Sequence, residues 1–198
     1  MSSLGLIRWA GLAALVSAGL SVMGDILRLF VDVENAASAT TVPYALVFWF
    51  YLLGAMLLLL GLAGLYVSQS EEAGVLGLVG FLTAFLGTAF LVGALWFELF
   101  ITPALAVEAP GLAEAELGIA GFILVFLLSA LGWVLFGAAT LRARVYPRWA
   151  AMLLIVGGLV AFVPVPLSGA VFSAAVAWLG FILFTGRGAA DGQPSRVS

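Results

Sequence analysis

Six apolar stretches, at residues 4–31, 44–67, 73–101, 117–141, 149–163 and 167–184, follow one another with only short interruptions of Gly, Pro or charged residues. A helix needs about 20 apolar residues, within a tolerated range of roughly 17–25, to cross a hydrocarbon core about 30 Å thick. In that medium every backbone N–H and C=O must be paired internally, so runs of this length fold as helices. The chain is therefore expected to be all-α, an integral membrane bundle of six transmembrane helices. Its composition agrees, with 65% hydrophobic and 9% charged residues, against roughly 45–50% and about 25% in soluble domains. No polar stretch is large enough to build a separate soluble domain. Residues 1–185 are read as one transmembrane helical domain and 186–198 as a disordered cytoplasmic tail.

The fifth stretch is short. At a rise of about 1.5 Å per residue, residues 149–163 fall short of the membrane core, and "VPVPL" follows, with Pro164 and Pro166 unable to continue a helix cleanly. Two short spans joined by a tight turn are preferred; the alternative to the last pair is a re-entrant hairpin over residues 149–184. Orientation follows from arginine, which supplies all 7 basic residues and is retained on the cytoplasmic side. With both termini cytoplasmic, the inner segments hold Arg8, Arg142, Arg144, Arg148, Arg187 and Arg196, and only Arg28 falls outside. The outer segments then carry Asp32, Glu34, Glu108, Glu114 and Glu116. A cleaved N-terminal signal is the competing reading, because Ala37–Ala39 resembles a cleavage site. The first stretch is too long for a signal, and Asp25, Arg28, Asp32 and Glu34 intervene.

The sequence has no Cys and no His, which removes disulfides, thiolate chemistry, imidazole bases and the usual zinc or haem ligands. No metal, no cofactor and no catalytic residue is expected. "VMGD" at Val22–Asp25 resembles part of the intramembrane aspartyl protease motif, but position 22 is Val and no second span supplies an aspartate for a dyad. "EEAGV" at Glu71–Val75 resembles the paired glutamates of prenyl-protein-processing membrane proteases, yet their Arg and His partners are missing. The acidic balance of the chain, net charge -3, argues against nucleic acid as a partner.

The turn "LRARVYPRWA" gathers Arg142, Arg144, Tyr146, Arg148 and Trp149. Guanidiniums among lipid phosphates and aromatic rings at headgroup level make an inner-interface anchor, and Pro147 opens the next helix. Arg8 and Trp9 open the first span in the same way, an echo that two coincident anchors explain as well as an internal repeat. Residues 132–160, a Gly-rich span ending in Arg followed by a Pro-Arg-Trp turn, resemble a stretch of uncharacterised bacterial multi-pass membrane proteins of unknown function. The resemblance implies a bacterial inner (plasma) membrane protein and no particular activity.

Ionisable groups within spans are the default functional candidates. Asp25, Arg28 and Asp32 are spaced to share one helix face, and Glu98 interrupts "ALWFELFITPAL", where Trp96, Phe97 and Phe100 form an aromatic belt and Pro103 is expected to end the helix. Counting about 1.5 Å per residue from Trp9 puts Asp25 roughly 24 Å into the first span, still within the core. The same count from Val75 puts Glu98 roughly 35 Å along the third, at the outer headgroups. Spans one and three run outward together, so Asp25, Arg28, Asp32 and Glu98 are expected to form a polar or ligand-binding cluster at the outer end. Otherwise Arg28 is neutralised within its own helix and Glu98 marks the exit.

Small residues recur at helix-packing intervals, among them Ala10, Ala14 and Ala18, and Gly74, Gly77 and Gly80. They let backbones approach in lipid, without distinguishing packing within the chain from packing against a second copy. The partners expected are the lipid bilayer and a membrane-protein partner or homo-oligomer. The leading reading is a non-catalytic accessory or small-ligand-binding protein. The alternative is a small transporter or proton-coupled carrier titrating Glu98 and Asp25.

Overall fold

Local chemistry sets the helix boundaries in the computed structural model, which describes residues 3–109, 119–161 and 167–186. Helix α1 spans Ser3–Arg28. Beyond it the backbone tightens as Leu29 N–H donates to Ile26 O at 3.2 Å and Phe30 N–H to Leu27 O at 3.0 Å. The Asp32 carboxylate then accepts the Glu34 N–H at 3.2 Å, a local bond that competes with another helical turn. The expected run to residue 31 is therefore corrected. Asp32 lies beyond the helix, off the face that carries Asp25 and Arg28.

Helix α2 spans Val42–Val67; Thr41 Oγ1 accepts the Tyr44 N–H at 3.4 Å, and Pro43 sits in the first turn, where its missing N–H costs nothing. Helix α3 spans Ser70–Phe100 and is interrupted at Gly74, φ +56° and ψ -149°, a region open to glycine alone without strain. Ile101 separates α3 from a short helix α4, Thr102–Glu108. Pro103 thus opens a helix in its first turn, where the sequence suggested only an ending. Helices α5, α6 and α7 span Ile119–Ala143, Arg148–Val160 and Gly169–Thr185. The proline turn with Pro164 and Pro166, the acidic Glu114 and Glu116, and the tail with Arg187 and Arg196 fall outside the described residues.

The molecule is all-α. Among the described residues four helical segments are long and apolar enough to cross a membrane: Gly5–Arg28, Val42–Val67, Ser70–Glu108 and Ala120–Ala143. The remaining two, α6 and α7, are apolar but shorter, 13 and 17 residues, or about 20 and 26 Å at the helical rise. Each long helix packs on its chain neighbours, α1 on α2, α2 on α3, α3 on α5, α5 on α6 and α6 on α7, and α7 returns to α1. The result is a closed ring in chain order.

Leu58 and Leu62 of α2, Trp133 and Phe136 of α5, Leu154 of α6 and Leu179 of α7 fill its middle in one continuous core. Between neighbours the seams are tight at small residues. A Cβ at Gly61 would lie 2.8 Å from Ala14 Cβ, and one at Gly157 would lie 2.6 Å from Phe172 Cα. Backbone contact this close lets van der Waals packing hold helices together where lipid and side chain are equally apolar. Outward, Leu60, Leu124 and Leu127 are exposed, as on a lipid-facing wall.

Candidate functional site

The site is built on one face of α2. Tyr44, Phe48 and Tyr51 follow at i, i+4 and i+7, so their rings form a single row, with centroids 4.6 Å apart for the first pair and 6.5 Å for the second. Each phenol holds a carboxylate from a neighbouring helix. The Tyr51 hydroxyl donates to Asp25 Oδ1 of α1 at 2.7 Å. The Tyr44 hydroxyl donates to Glu98 Oε2 of α3 at 2.8 Å, and Thr102 Oγ1 donates to the same oxygen at 2.9 Å. Seven residues of α2 separate the phenols, so the carboxylates sit about 10 Å apart along it. The second oxygen of Asp25, Oδ2, is shielded from solvent and has no hydrogen-bond partner among the described residues. It lies beside the first residue of α7, 3.0 Å from where a Cβ on Gly169 would be.

The four candidate residues are therefore brought to one end of the ring in separate arrangements. Arg28 pairs with Glu34 at 3.6 Å, an exposed contact of the kind that contributes little stability, although its charge also acts on Asp25 and Tyr51. Among the described residues Arg28 makes no ion pair with Glu98, Asp25 or Asp32. Asp32 serves its own loop. Tyr44 and Tyr51 were missed in the sequence, where attention went to the charged residues of the spans. Their signal was the seven-residue spacing inside an apolar span.

The opposite end carries the arginines. Arg8 Nε donates to Phe184 O at 3.2 Å, and the guanidinium stands 5.6 Å from the Phe184 ring centroid. It thereby satisfies one of the otherwise unpaired carbonyls in the last turn of α7 and complements that helix's dipole. Trp9 and Trp149 are exposed, as anchors would be. Tyr146 is buried, and its hydroxyl meets Ser68 Oγ at 2.6 Å, while Ser68 donates to Leu65 O. Burial pushes the Tyr146 phenol up to about 12, with the Ser68 hydrogen bond opposing. Gln69, also buried, donates from Nε2 to Thr140 Oγ1 at 2.9 Å. Together these bonds latch the α2–α3 turn to the end of α5 and the turn that follows it.

Among the described residues no three carboxylates gather as a metal site. The length and apolarity of the helices define the class of the molecule as far as the fold goes: a bundle of the multi-pass membrane type, with a carboxylate–phenol end and an arginine end. No family model, no curated protein and no solved structure matches the chain.

Proposed function

We propose that the chain is a multi-pass protein of a bacterial inner membrane that crosses the bilayer six times, keeps both termini in the cytoplasm, and acts without catalysis by holding a small ligand or partner at its outward end. The observation that carries this reading is Asp25 Oδ2, an acceptor shielded without a donor among the described residues where α1 and α2 meet the start of α7. A buried acceptor left unpaired costs roughly 1–3 kcal/mol, so a donor or cationic group brought to that point is favoured. The orientation rests on arginine: Arg8, Arg142, Arg144 and Arg148 lie at one end and Arg28 at the other, as cytoplasmic retention of positive charge requires.

The carrier alternative draws on the same carboxylates. Against it stands the middle of the ring, filled by Leu62, Trp133, Phe136 and Leu154, where alternating access needs a route to both sides. The test uses the full chain in detergent with ethanolamine and choline as probes. Binding at this end predicts that either cation raises the unfolding temperature of the wild type and not of Asp25→Asn; an equal rise in both contradicts the site. Carrier function requires instead a proton-coupled flux in liposomes that Asp25→Asn or Glu98→Gln abolishes while the protein stays folded.

A further inference from the structure

At the arginine end, Leu141, Arg144, Tyr146 and Arg148 line a recess of about 530 Å³. Its walls are set by the turn between α5 and α6. Arg144 takes a left-handed backbone, φ +57°, which is costly for a side chain with a Cβ and turns the chain sharply after α5. Tyr146 is buried below it and fixed by Ser68 at 2.6 Å, so one wall of the recess is rigid. Pro147 then caps α6 with its carbonyl alone, accepting Ala150 N–H at 3.0 Å and Ala151 N–H at 3.3 Å, and among the described residues no side chain caps that helix.

Charge is the informative feature. Among the described residues no carboxylate lies within 4.0 Å of Arg142, Arg144 or Arg148, and all three are exposed. Guanidiniums without counter-charge, next to a helix N-terminus that no side chain caps among the described residues, favour an anion with several acceptor oxygens. Leu141 adds an apolar wall where α5 ends, and the exposed Trp149 ring stands beside Arg148, 5.9 Å from its guanidinium carbon to the ring centroid. A ligand suited to both halves carries a phosphoryl group and an acyl chain.

We infer that this recess is a specific site for the phosphoryl headgroup of an anionic membrane lipid, held between Arg144 and Arg148 over Tyr146. The assignment goes beyond the proposed function, lies at the opposite end of the ring, and holds whichever leaflet that end faces.

The full chain, purified in a neutral detergent, is titrated with dioleoylphosphatidylglycerol or dioleoylphosphatidylcholine, and bound lipid is counted by native mass spectrometry. The phosphatidylglycerol affinity is expected to exceed that for phosphatidylcholine at least tenfold. In Arg144→Gln/Arg148→Gln the preference falls to less than threefold. Arg148→Gln alone provides a milder variant with the same expected direction, should the double variant unfold. A preference retained in the folded double variant, or in Arg148→Gln when that alone folds, overturns the site. A final arm adds sodium phosphate in place of lipid: millimolar phosphate displacing phosphatidylglycerol completely assigns the recess to free phosphate and overturns the lipid, whereas partial or no displacement supports it.

Discussion

Asp25 and Tyr51 show how a single charged residue is tolerated at the end of an apolar helix. One oxygen receives a phenol at 2.7 Å and the other receives nothing among the described residues. Hydrogen bonds inside membrane proteins average about 0.6 kcal/mol and reach about 1.7 kcal/mol, and those to charged groups are the stronger. A double-mutant cycle of Asp25→Asn and Tyr51→Phe is therefore expected to give a coupling of about 1–2 kcal/mol in detergent unfolding. A coupling near zero contradicts the pair. Tyr146 yields a prediction in pH. Its phenol ionises at about 12 in the fold against about 10 when free, so the folded state keeps a proton that the unfolded state loses. Stability should fall as pH rises from about 10 through about 12, and Tyr146→Phe should remove that component of the fall. At this scale the sequence exposed Asp25 and Glu98, because charge within an apolar run costs energy and stands out. It concealed Tyr44 and Tyr51, whose roles depend on which helix lies beside α2, and Gln69, whose burial arises only when the turn docks on Thr140.

Helix boundaries were legible wherever one residue type decides them. Pro147 sits at a helix start, and the arginine-rich turn separates α5 from α6. The end of α1 was not legible, since it depends on Asp32 bonding to the Glu34 amide, a choice that hydropathy does not record. Two glycines that look alike in sequence divide by mechanism. Gly74 has open space for a side chain but a backbone at φ +56°, so Gly74→Ala should cost about 1–3 kcal/mol through strain. Gly132 is ordinary helix pressed against the backbone of Thr83 and Ala84, so Gly132→Ala should cost a similar 1–3 kcal/mol or so through overpacking of the α3–α5 seam. Gly121→Ala, with nothing within 4 Å, should instead be neutral or stabilising by up to about 1 kcal/mol. Thermal unfolding of the three variants in one detergent checks the order.

For the whole molecule, the all-α class and the apolar runs were legible from run lengths against membrane thickness; among the described residues four helical segments reach that length and two apolar helices fall short of it. The closed ring was not legible, because several seams are alike in using Gly and Ala residues and their spacing does not name the partner. The proposed topology puts the carboxylate–phenol end outside and the arginine end in the cytoplasm, with α6 and α7 crossing fully although they are short. The chain lacks cysteine, so single cysteines at Asn35, Ser70 and Ser168 report topology directly when labelled by a membrane-impermeant maleimide in intact bacterial cells expressing the full chain. Labelling at Asn35 and Ser168 from outside, with Ser70 reached only after the cells are opened, is the predicted result. Ser168 shielded on both sides, or labelled from the same side as Ser70, contradicts it.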